Sequence, residues 1–342
     1  MNRKTITVVN LILFAIWLLV ACILTVYAYR QFNFSNVDVI AYSLTGLLVN
    51  YLLTIAIHEI GHIICAKICK MKVARVNFGP IEIDYTQNKK VKCFSRISLE
   101  GGESNFIPTK PVTKGQLRFV AFGGLFFTLL FAVACNIPMM ISVNKTAFCF
   151  LTIGSCSAFY LFTVNLLPFD KTSDGTILLT NREYIDVIVA VLNHQFAVQK
   201  NGIPEESVIF KRSKEPLAVY FHFVYLILQN RKEEAYRDLL ALSHMFYTLT
   251  DEEYTAIFTE ILYEACQHGV LDDEIKNRAD IFFTEENNTP SFLRAHCAYR
   301  KHQGEKEWAC SIYKSYKKAL SQSPPFIKEY ESRYALHVDS RR

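Results

Sequence analysis

The chain has 342 residues, 51% of them hydrophobic, and a formal charge of +5. That length allows two or three domains, and a charge so small and scattered excludes nucleic acid as a partner. The ten cysteines form no C-x-x-C pair and sit largely in apolar runs, as small core residues do, which excludes a disulfide framework.

Four apolar runs, each close to the ~20 residues that span a bilayer, precede residue 180. The first, "TITVVNLILFAIWLLVACILTVYA" at 5–28, continues past Cys22 and so reads as a span and not as a cleaved leader. The second covers 39–57, the third 117–142 and the fourth 147–167. The stretch between the second and third spans carries Lys67, Lys70, Lys72, Arg75, Lys89, Lys90, Lys92, Arg96, Lys110 and Lys114. The other two connections hold Arg30 and Lys145. The basic stretch belongs inside, so both termini are expected in the cytoplasm.

The second span ends in "HEIGH", residues 58–62. From Val39, about 28 Å of helix at ~1.5 Å per residue reaches His58, which puts it near the cytoplasmic edge of hydrocarbon about 30 Å thick. Ionisable groups there are costly and mark function. His58 and His62, four apart, share a helix face and can grip one metal ion. Glu59 between them reaches a water at that ion, the arrangement of zinc hydrolases. Cys65 and Cys69 continue the stripe as packing residues or as further ligands.

Two imidazoles leave a zinc ion short of ligands. "NLLPFDKTSDG", residues 165–175, closes the fourth span at the same depth. Pro168 ends the helix, Asn165 offers an amide to freed backbone or to an extended substrate, and Asp174 follows on a turn. Asp174 is either the third ligand or an N-cap for the helix starting at "TILLT". Asp170 and, from the 82–103 loop, Glu82, Glu100 and Glu103 are the other candidate carboxylates. Residues 73–99 alternate in strand fashion about the polar turn "QNKK" and predict a β-hairpin. Such a hairpin receives an extended substrate as an added strand or merely covers the site. Gly101 and Gly102 then turn the chain toward the third span.

Together "HEIGH" at 58–62, "AFGGLFF" at 121–127 and "NLLPFDKTSDG" at 165–175 resemble the site-2 protease family of intramembrane zinc metalloproteases. The resemblance covers about residues 39–180. It implies a three-helix core made of the second, third and fourth spans, with zinc held by His58, His62 and Asp174. Glu59 is then the general base, and Asn165 a substrate contact.

Past residue 180 the chain is charged and helix-patterned. Breaks at Asn230 and near Gly304, with a third pair between 252 and 285, predict helical hairpins that loosely resemble tetratricopeptide arrays. Stacking would bury their apolar faces, forming a groove for a protein partner or substrate, or else a compact cap.

The expected fold is mainly α and integral to the membrane, with four transmembrane helices, a small cytoplasmic β-hairpin insertion and a C-terminal helical-hairpin domain. Residues 1–38 form an N-terminal span and short external loop, 39–180 the protease core, 181–215 a linker, and 216–342 the cytoplasmic helical domain. The expected activity is zinc-dependent hydrolysis of membrane-embedded or membrane-proximal peptides, in a bacterial cell membrane. The alternatives are a non-catalytic membrane scaffold binding partners through the hairpins, and a membrane-anchored zincin with a Glu third ligand.

Overall fold

The computed structural model describes residues 3–334 apart from 33–35, 86–89, 94–101, 142–144, 169–172, 181–182, 202–206, 246–248, 250, 272, 285–286 and 324. Two compact units divide it, Met1–Ile185 and Asp186–Arg342.

The first unit holds helices α1 (Arg3–Phe32), α2 (Asn36–Ile68), α3 (Lys114–Ile141), α4 (Lys145–Leu166) and α5 (Asp174–Leu179). Helices α2, α3 and α4 pack on one another, α1 rests on α4, and α5 lies against α3. Among the described residues, three stretches are long and apolar enough to cross a membrane, Thr45–Ile68, Lys114–Ile137 and Thr146–Leu166. In hydrocarbon only a helix or a closed barrel satisfies its own backbone, which is why such runs fold this way. Helix α1 carries a shorter apolar stretch, Leu11–Leu24, and packs Trp17 and Ala21 against Cys156.

Lipid tails are as apolar as leucine, so close backbone approach and polar cross-links hold such helices together. At the crossing of α2 and α3, a Cβ on Gly61 or on Gly123 would run into the other's backbone. Asn50 donates to the Phe150 carbonyl at 3.0 Å and ties α2 to α4. Asn136 donates to Ser155 Oγ at 2.6 Å and ties α3 to α4.

Between α2 and α3 the chain forms a four-stranded antiparallel sheet rather than a single hairpin. Its strands are β1 (Met71–Phe78), β2 (Ile81–Asp84), β3 (Lys90–Cys93) and β4 (Gly102–Pro108), in the order β3-β2-β1-β4. The first turn falls at Gly79, whose φ of 68° suits glycine. Most of the expected turn at 87–90 lies outside the described residues. The segment expected to turn the chain back, from Gly102 on, is instead the edge strand β4. It pairs with β1 from Met71↔Pro108 to Phe78↔Gly102, with an irregularity between Val73 and Arg75.

The second unit is helical. Residues 181–215, expected as a linker, hold α6 (Glu183–Asn201) and α7 (Val208–Arg212). Three helix pairs follow. They are α8 (Pro216–Leu228) with α9 (Lys232–Ser243), α10 (Asp251–His268) with α11 (Asp273–Phe282), and α12 (Pro290–His302) with α13 (Lys306–Gln322). Helix α14 (Pro325–Tyr334) closes the described chain. Left-handed residues break the pairs: Asn230 (φ 60°), Gly269 (φ 68°) and Gly304 (φ 82°).

Arg294 on α12 is fully buried and pairs with Glu260 on α10 at 2.7 Å and with Glu331 on α14 at 3.0 Å. Tyr316 on α13 donates to Glu331 at 3.0 Å. Burial pushes Glu260 up to about 7 against the pull of Arg294. Charges this deep are costly to desolvate and tolerable only when paired, and here the pairing links α10, α12, α13 and α14.

Candidate metal centre

The local chemistry of α2 places His58, Glu59 and His62 among buried groups, with 4%, 2% and 8% exposure. Asp174 comes from α5. Ser173 caps that helix, its Oγ accepting from Thr176 N at 3.3 Å. The cap expected of Asp174 is therefore supplied by its neighbour, and the Asp174 carboxylate is left for other work. Arg118 on α3 donates to the carbonyls of Ile177 at 3.3 Å and Thr180 at 3.0 Å, holding the far end of α5. Gly175 packs on the end of α4, where a Cβ would collide with the Leu166 carbonyl.

These elements bring His58, His62 and Asp174 together. One ligand atom from each lies within 4.8 Å of the others. The two Nε2 atoms are 3.1 Å apart. Asp174 Oδ2 lies 3.2 Å from His58 Nε2 and 3.3 Å from His62 Nε2, off the line of any hydrogen bond.

The opposite ring nitrogens reveal what the cluster offers. His62 Nδ1 is 2.8 Å from the Val120 carbonyl, which can only accept, so Nδ1 carries the proton. In the neutral ring the Nε2 lone pair then faces Asp174. His58 Nδ1 is 2.9 Å from Thr128 Oγ1. Two Nε2 atoms and a carboxylate oxygen thus converge, a donor set that suits a cation placed between them. Zinc fits that donor set. Ligands at ~2.0–2.1 Å in a tetrahedron stand about 3.3 Å apart, close to the spacings found.

Glu59 is outside the cluster. Its Oε2 accepts from Ser104 Oγ on β4, and its carboxylate fills the space a Cβ on Gly102 would need. Asn165 turns its amide back to the Leu161 carbonyl at 3.0 Å. Cys65 lies against Gly123, and the Cys69 thiol is 3.9 Å from the Gln116 carbonyl; among the described residues neither joins the cluster. Glu82 and Glu103 both reach Arg75, at 3.8 Å, and they too stay outside it. Asp170 and Glu100 lie outside the described residues.

Sequence reasoning missed Ser104, Val120 and Thr128. The signal for the last two was available. Val120, Gly124 and Thr128 are spaced by four, one stripe of a helix, and Thr128 is a hydroxyl inside an apolar run.

A buried His–His–carboxylate cluster on apolar helices, with a glutamate next in the chain to the first ligand candidate, defines an integral-membrane metallohydrolase. Residues 46–251 match peptidase family M50. The match covers more than half of the chain, and the chain belongs to that family, the site-2 protease family of intramembrane metalloproteases. Comparison with curated proteins and with solved structures finds no match.

Proposed function

We propose that the protein is a zinc endopeptidase that cuts membrane-embedded or membrane-proximal peptides, with zinc held by His58, His62 and Asp174. The observation that carries this is the convergence of two Nε2 atoms and Asp174 Oδ2 at 3.1–3.3 Å. Zinc, when bound, supplies Lewis acidity that polarises a carbonyl and makes water easier to deprotonate. Glu59 takes a proton from the attacking water and passes it to the leaving amine. The Ser104 hydroxyl holds one carboxylate oxygen of Glu59 and leaves the other for that transfer.

Gly102 and Ser104 lie on the edge strand β4. A peptide added to its open edge satisfies its own backbone and runs beside the base. Asn165 takes a backbone amide of the same peptide at the end of α4. The test is metal analysis of the purified protein, with a comparison of peptides in membranes before and after chelation. One zinc per chain and chelator-sensitive loss of a membrane peptide are expected. A protein that holds no zinc and leaves the peptide inventory unchanged overturns the reading.

The domain limits follow the chemistry: residues 1–38 anchor, 39–180 cut, and 216–342 present tetratricopeptide-like hairpins to a substrate or partner protein in the cytoplasm, after the 181–215 connection. Helix α1 is the fourth span, and both termini are cytoplasmic in a bacterial cell membrane. Cys310 on α13 is exposed and reports the side. In intact cells it should resist a membrane-impermeant thiol reagent and react after lysis, read by mass spectrometry of its peptide. Labelling at Cys310 in intact cells would invert the topology.

A further inference from the structure

We propose that Thr128 is a positioning residue for the metal centre, which fixes His58 in the tautomer that turns its Nε2 lone pair to the ion. This rests on the zinc reading above. Thr128 is fully buried, at 0% exposure, on the face of α3 that meets α2. Its hydroxyl has one proton, and that proton goes to the Gly124 carbonyl one turn back at 2.8 Å. Toward His58 it therefore offers only lone pairs. The 2.9 Å contact with His58 Nδ1 then requires the hydrogen on Nδ1 and, in the neutral ring, leaves Nε2 bare.

The same stripe serves the second imidazole. The Val120 carbonyl accepts from His62 Nδ1 at 2.8 Å. Between the two, Gly124 leaves the gap into which both rings fit, since a Cβ there would strike His62 and lie 2.8 Å from His58 Cε1. One stripe of α3 thus supplies an acceptor, a gap and an acceptor, one turn apart. The His62 half is backbone and cannot be mutated away; the His58 half rests on a single hydroxyl. Thr128 is packed at 0% exposure, so water does not readily stand in for that hydroxyl. Without it, the His58 proton loses its partner and moves readily to Nε2, where it competes with the metal. Outer partners of this kind typically change metal affinity by about 10–100-fold.

The experiment is competition against a zinc chelator with full-length protein in detergent, comparing wild type, Thr128→Val, Thr128→Ser and His58→Ala. Valine keeps the shape and removes the acceptor; serine keeps the acceptor. Thr128→Val should bind zinc about 10–100-fold more weakly, with Thr128→Ser near wild type and the zinc-free melting temperatures of all three alike. Wild-type affinity in Thr128→Val, with zinc lost in His58→Ala, overturns the proposal alone. Equal weakening in the valine and serine variants also overturns it, because packing would then be the cause. Undiminished zinc binding in His58→Ala removes the underlying metal reading as well.

Discussion

Glu59→Gln should keep zinc near wild-type occupancy and lose peptide cleavage by about 10²–10⁴-fold, the usual worth of a positioned general base. The substitution is close to isosteric. The amide oxygen still accepts from Ser104, so the contact between α2 and β4 survives. Lost is the carboxylate that, among the described residues, stands beside the cluster and can take a proton. The metal ligands proposed here do not include Glu59, and their donor atoms meet without it, so metal content separates a lost base from a collapsed site. Measuring zinc per chain and single-turnover cleavage on the same preparation gives the answer. A glutamine variant that cuts as fast as wild type would sink the hydrolytic mechanism.

The site was legible because its residues break the rule of their surroundings. His58, Glu59 and His62 stand out in an apolar helix because polar groups there need a reason. Depth made Asp174 one candidate among several, since Pro168 marks where the fourth apolar run stops, and the family resemblance singled it out over Asp170 and the glutamates of 82–103. The breaks at Asn230 and Gly304 were readable because those residue types favour the left-handed backbone found there. The edge strand β4 was hidden for the opposite reason. "GESNFIP" has little alternation, and its partner β1 is remote in the chain, so only tertiary pairing makes it a strand. Helix α6 was passed over although its sequence is largely apolar, with three charged residues in nineteen, because it lies between the last apolar run and the charged helices and was expected as a connection. Ser104 has a side chain that looks ordinary in sequence, and its role comes from the Glu59 carboxylate it meets, which spacing alone does not reveal.

Asp174→Ala should lose zinc and activity together, whereas Asp170→Ala should retain most of both. Alanine at the first residue of α5 is a good helix former, and the cap on that helix is Ser173. Arg118 still holds the other end through the Ile177 and Thr180 carbonyls, so α5 should stay in place without the carboxylate. The change then removes one donor atom from a set of three spaced 3.1–3.3 Å apart. Loss of an outer partner costs about 10–100-fold in metal affinity; loss of a ligand should cost more, because two imidazoles leave the ion open to solvent on two sides. It also removes the negative charge that offsets the dication in a low-dielectric setting, where unbalanced charge is most expensive. Equilibrium dialysis against a zinc buffer, followed by metal analysis, measures the loss directly. If Asp174→Ala keeps stoichiometric zinc while Asp170→Ala is stripped of it, the third ligand lies four residues earlier in the chain and the α5 carboxylate is only a neighbour of the site.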